Sequence, residues 1–189
     1  MVKNLAVFFD GTWNEPNDRT NVYELYKAAP ETSTQETLYI EGVGTQGQGL
    51  WAAIDKFAGG AFGAGLSANI RTGYRWLCQR QEPQDRIFLF GFSRGAYSAR
   101  SLAGMVRKCG LLNDPTDANV AEAYSLYRDD CPPASLEATA FRARFSRETE
   151  VHFVGVWDTV GALGIPVGGI RFPGFSSFYH FHDTELSNH

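Results

Sequence analysis

A chain of 189 residues, 43% hydrophobic and 14% aromatic, is long enough to bury a sizeable core and fits a single domain. Its formal net charge of −4, without any run of like charges, leaves no nucleic-acid or anionic-membrane footprint. No stretch approaches the roughly 20 apolar residues needed to span a bilayer.

The elements follow in chain order. Met1-Val2-Lys3-Asn4 runs straight into an apolar segment of strand length, Leu5 to Phe9, without the hydrophobic core and cleavage site of a signal peptide, so a cytoplasmic protein is expected. Asn21 to Ala29 carries a helical pattern, with Asn21 and Glu24 spaced as an N-cap pair. Thr37 to Ile40 is a short strand, and Gly-rich residues 42 to 65 are expected to be a mobile loop. Helix Ala68 to Gln81, strand Ile87 to Phe92 and helix Ala96 to Cys109 come next. Residues 117 to 147 hold two helical pieces broken at Pro132-Pro133, expected to cap one end of a sheet. The strand Val151 to Trp157 closes the pattern.

The long strands are apolar almost continuously, as a parallel sheet covered on both faces requires. Strands alternating with helices predict an α/β fold with a mostly parallel sheet. Four credible strands fall short of the usual five or six, so the sheet is expected to be incomplete at its C-terminal side. Cys78, Cys109 and Cys131 are widely spaced, with no CxxC pair and no His-rich cluster, and read as reduced thiols rather than a metal site.

Gly91-Phe92-Ser93-Arg94-Gly95 fits G-x-S-x-G, a motif that carries meaning only between a strand and a helix, and both are predicted here. The serine of such a turn has a strained backbone, so the residues two before and two after must be small. A serine hydroxyl needs a base, itself oriented by a carboxylate. Asp158 follows the strand Val151 to Trp157, which puts it at the carboxyl edge of the sheet, where Ser93 also belongs and where open α/β sheets bind ligands. An oxyanion needs backbone donors from the residue after the serine, Arg94, and from a loop after another strand, supplied by Asp10-Gly11-Thr12. Gly11 permits close approach, and Asp10 is expected to brace that loop rather than react.

The base is the weak element. His152 lies near the start of its strand, away from Ser93, and reads as structural. His180 and His182 come late enough in the chain to serve but sit in an aromatic-rich segment, and His189 is the last residue of the sequence.

Phe8-Phe9-Asp10-Gly11-Thr12-Trp13-Asn14, Thr20-Asn21-Val22, Tyr39-Ile40-Glu41-Gly42-Val43-Gly44-Thr45, Gly91 to Arg100, and Val156-Trp157-Asp158-Thr159-Val160-Gly161 recur together in one family. By these motifs the chain resembles the α/β-hydrolase domain family that includes the type VI secretion phospholipase effectors. The resemblance implies a Ser-Asp-His triad acting on glycerophospholipid acyl esters, with Ser93 as nucleophile, Asp158 as acid, and Gly11 and Arg94 as oxyanion donors. It implies no cofactor or metal. It also implies transient contact with a membrane surface, a secretion-system or immunity partner, and export without a signal peptide. The family's catalytic histidine lies beyond a stretch similar to His182-Asp183-Thr184-Glu185-Leu186-Ser187, so the resemblance places the base past His189 and the chain as the N-terminal part of the domain.

Two other readings compete. Gly42-Val43-Gly44-Thr45-Gln46-Gly47 matches the dinucleotide-binding G-x-G-x-x-G, but Ala61 to Arg80 lacks the ribose-binding acid expected about 20 residues on. Alternatively the chain is an inactive α/β fragment or binding module, in which Ser93 is only a turn and the aromatic tail Phe172 to Phe181 is a partner surface.

Overall fold

The computed structural model describes residues 1–11, 14, 16–42 and 61–157, with residues 61–64 described as backbone only. Four strands, β1 (Asn4–Phe9), β2 (Gln35–Ile40), β3 (Arg86–Phe92) and β6 (Val151–Trp157), form one parallel sheet in the order β2-β1-β3-β6. The strands match the apolar runs of the sequence, each extended by no more than two residues at its start.

The pleat divides the apolar residues of β1 between two cores. Leu5, Val7 and Phe9 face α2 (Ala61–Arg80) and α3 (Arg94–Cys109), where they meet Ile70, Tyr74, Leu77 and Leu102. Ala6 and Phe8 point the other way, onto Val22, Leu25 and Tyr26 of α1 (Asn21–Ala28). Phe8 is 1% exposed and stacks on Phe90 with ring centroids 4.9 Å apart. Side chains buried to this extent contribute about 1.5–3 kcal/mol each.

The chain leaves β1 through α1 to reach β2 on one side, then returns through α2, on the opposite face, to β3 on the other side of β1. The direction of winding therefore reverses between β1 and β3. Open α/β sheets bind ligands at such a switch point, and there, at the carboxyl ends of these two strands, the loop after β1 and the turn after β3 meet.

Three local details differ from the sequence reading. The cap of α1 is Thr20, not Asn21: Thr20 is extended (φ −61°, ψ 161°) and its Oγ1 accepts the Tyr23 amide at 3.1 Å, whereas Asn21 is already helical. Glu24 pairs instead with Arg19 at 2.5 Å. Helix α2 begins at Ala61, so the last glycines of the 42–65 stretch belong to a helix rather than a loop, and residues 43–60 lie outside the described residues.

The insert does break at Pro132-Pro133, into α4 (Asp117–Arg128) and α5 (Leu136–Phe145), but it also contributes a two-residue strand. This strand, β5 (Ser146–Arg147), pairs antiparallel with β4 (Leu111–Leu112). The insert packs on the α2–α3 layer: Tyr124 Oη meets Ser67 Oγ at 2.8 Å, Lys108 Nζ donates to the Asp129 carbonyl at 2.7 Å, and Cys109 Sγ donates to the Ala123 carbonyl at 3.2 Å. Lys108 and Cys109 end α3, whose 16 residues put them about 22 Å from Ser93.

Arg147 ties the β4–β5 pair to the C-terminal end of α2. Its guanidinium donates to Gln81 Oε1 at 2.9 Å and to the carbonyls of Leu112, Cys78 and Gln81 at 3.0, 2.9 and 2.8 Å.

Candidate functional site

Ser93 occupies the single residue between β3 and α3. Its backbone, φ 53° and ψ −119°, lies in a region that side chains other than glycine rarely adopt. Such a conformation costs about 1–3 kcal/mol and persists only where the surroundings impose it. Here they do: the Ser93 amide donates to the Trp157 carbonyl at 3.0 Å, and its own carbonyl accepts the Ala96 amide at 3.1 Å.

The flanking glycines allow the turn. A Cβ on Gly91 would lie 2.6 Å from Ala96 Cα, and one on Gly95 would lie 2.6 Å from the Asp10 carbonyl oxygen. Both obstacles are backbone, which cannot swing aside. The turn after β3 is thereby pressed against the end of β1.

The Ser93 side chain is notable for what it does not do. Thr20, Thr116 and Ser135 also precede helices, and each hydroxyl accepts an amide from the first turn. Ser93 makes no such capping hydrogen bond. Its hydroxyl stands half-buried at the N-terminal end of α3, where first-turn amides lack intrahelical acceptors and the helix dipole favours developing negative charge. Arg94 opens this helix, and burial of its guanidinium pushes its pKa down to about 10.

The loop after β1 is held by Asp10, which is 3% exposed. Asp10 Oδ1 accepts the Gly11 amide at 2.7 Å, while Oδ2 accepts the hydroxyls of Tyr39 at 2.6 Å and Thr20 at 2.8 Å. This carboxylate is a brace, as its place in the sequence suggested. Gly11 itself fits because a Cβ there would lie 2.9 Å from the Phe92 ring. Its amide, one of two expected to face an oxyanion, is turned onto Asp10. Tyr39 and Thr20 were not singled out as site residues, although the alternation of β2 and the cap of α1 were the signals available for finding them.

Asp158, His180, His182, His189 and Thr12 lie outside the described residues, as do Val43 to Gly47 of the glycine-rich dinucleotide pattern. The chain is described up to Trp157, so the residue preceding Asp158 is bonded directly to Ser93. His152 sits exposed near the start of β6, edge-on to Phe88 with centroids 5.2 Å apart.

Among the described residues, Asp129, Cys131 and Glu137 form one group with ligand-type atoms within 4.8 Å of one another. Asp129 Oδ1 there already accepts the Cys131 amide at 2.9 Å. A cavity of about 370 Å³ between α4 and α5, lined by Leu126, Phe141, Phe145 and Glu137 among others, contains no residue of the β1–β3 edge.

A sequence model of one family, described as T6SS, phospholipase effector Tle1-like, catalytic domain, matches residues 3–189. The chain belongs to this family. The fold agrees with that membership: a mainly parallel sheet flanked by helices, with the serine turn and the β1 loop at the switch point. A curated relative, the uncharacterized protein YEL023C of Saccharomyces cerevisiae, is 35% identical over 188 residues, covering 86% of this chain and 27% of the relative. The chain thus spans about a quarter of the length of the relative it matches. No solved structure matches the chain. Among the described residues no helix is long and apolar enough to cross a membrane.

Proposed function

We propose that this member of the Tle1-like phospholipase family is a serine hydrolase of phospholipid acyl esters, with Ser93 as its nucleophile. The observation that carries the reading is the strained turn at Ser93, whose hydroxyl, unlike those of the other Ser and Thr helix caps, is kept out of helix capping. Strain of this kind is retained where function needs it, and here it projects a hydroxyl at a helix N-terminus beside a second loop.

In the proposed reaction a histidine C-terminal to Asp158, oriented by the Asp158 carboxylate, removes the Ser93 proton as Oγ attacks the acyl carbonyl. The oxyanion is held by the first-turn amides of α3, beginning with Arg94. The Gly11 amide, turned onto Asp10, holds the β1 loop beside them instead. Collapse of the tetrahedral intermediate expels the lysophospholipid alkoxide, which takes the proton from the histidine. Water, deprotonated by the same histidine, then cleaves the acyl-Ser93 ester to release the fatty acid and restore the hydroxyl. None of these steps draws on a cofactor. Substrate at a membrane surface, and secretion-system and immunity partners, belong to the same proposal by family membership.

An active-site-directed fluorophosphonate tests the assignment: the folded full-length protein should be labelled and Ser93→Ala should not. Absence of labelling in the folded wild type would overturn it. Hydrolysis of a diacyl phospholipid, set against a short-chain ester, tests the substrate class, and activity confined to the short ester would remove the phospholipase part.

A further inference from the structure

The interactions of Asp10 extend the site beyond the residues that touch substrate. The pleat sends Asp10 to the same face as Ala6 and Phe8, the face covered by α1. Tyr39 reaches that face from the neighbouring strand, since it pairs in register with Phe8. Thr20 arrives at the same point as the cap of α1. Three segments distant in sequence therefore converge on one buried carboxylate.

Each part of this arrangement is fixed by something else. The Tyr39 ring stacks on Tyr26, with centroids 5.1 Å apart, and meets Tyr23 edge-on at 5.5 Å, so its hydroxyl is aimed by packing. Burial, then the hydrogen bond to Asp10, hold its phenol above the usual tyrosine range, so it stays a donor. Thr20 uses its one hydroxyl twice, accepting the Tyr23 amide and donating to Asp10 Oδ2. With Oδ2 fixed by two hydroxyls, Oδ1 is left to hold the Gly11 amide. The carbonyls of Phe9 and Asp10 in turn lie against Gly95, the second residue after Ser93.

We propose that Tyr39 and Thr20 are positioning residues for the reaction at Ser93, acting through the Asp10 carboxylate to fix the β1 loop backbone against the serine turn. The proposal rests on the hydrolase reading. Acyl transfer depends on the distance between Oγ, the carbonyl carbon and the oxyanion donors, and a displacement of about 1 Å costs up to roughly a hundredfold in rate. Releasing one of the two hydroxyls that hold Oδ2 loosens the loop only in part, so a drop of about tenfold is expected.

The test is Tyr39→Phe in the full-length protein, which keeps the ring stack and removes only the hydroxyl. Fluorophosphonate labelling of Ser93 separates the probe's binding constant from its maximal rate of reaction. The expected result is a maximal rate about tenfold lower with the binding constant within twofold of wild type and the folded fraction preserved. Thr20→Val should slow labelling similarly, and Thr20→Ser, which keeps a hydroxyl, should restore most of the loss. A Tyr39→Phe rate equal to wild type, or a loss that merely follows the folded fraction, overturns the positioning role while leaving the hydrolase reading intact. Failure of the wild type itself to be labelled overturns the hydrolase reading, and the positioning role with it.

Discussion

The amide of Ser93 donates to the carbonyl of Trp157 at 3.0 Å, so the turn after β3 is tied to the last residue before Asp158. Two residues 64 positions apart in the sequence are thereby brought to one edge of the sheet. If Asp158 orients the base, Asp158→Asn should lower kcat by several orders of magnitude with little change in KM, because the wrong histidine tautomer is then favoured. Steady-state kinetics on a phospholipid would show it, and a variant within threefold of wild type would remove Asp158 from the triad.

The strain at Ser93 gives an opposed pair of effects. Ser93→Gly should abolish labelling yet raise stability by about 1 kcal/mol, since relief of the φ 53° conformation outweighs the added entropy of the unfolded chain. A denaturant midpoint below that of wild type would show that the turn is not strained in solution.

Gly95→Ala should do the reverse. Its Cβ would meet the Phe9 and Asp10 carbonyls, which belong to the central strand and the loop it leads into. A loss of about 3 kcal/mol is expected in chemical denaturation. A tolerated alanine would mean that the β1 loop and the serine turn are not in contact.

Arg147→Met tests a part of the fold distant from the site. It leaves the carbonyls of Leu112, Cys78 and Gln81 without their charged donor and should cost about 3 kcal/mol. Labelling of Ser93 per folded molecule should not change, and a proportional loss of labelling would show that this layer and the site are coupled.

The cysteines should react unequally. Burial pushes the Cys78 thiol up to about 11 and the Cys109 thiol up to about 12, while Cys131 is more accessible. At pH 8 iodoacetamide should modify Cys131 in the folded chain and all three thiols in denaturant, read by mass spectrometry. Both buried pKa values lie above the unfolded value of 9.0, so their contribution to stability is complete below pH 9 and is lost as pH rises through about 11 and about 12.

The sequence by itself determined what depends on neighbours along the chain. Near-continuous apolar runs set three of the strands and a shorter pattern the fourth, all to within two residues, Pro132-Pro133 broke the insert, and Gly91 and Gly95 around Ser93 marked two positions that tolerate no side chain. Only the tertiary structure decided what depends on contacts remote in sequence. The order β2-β1-β3-β6 puts the serine turn beside the β1 loop, because the path of each crossover, and not any local pattern, chooses which side of β1 the next strand joins. The same topology draws Thr20 and Tyr39 onto Asp10, an encounter fixed by strand register and by the face that α1 covers.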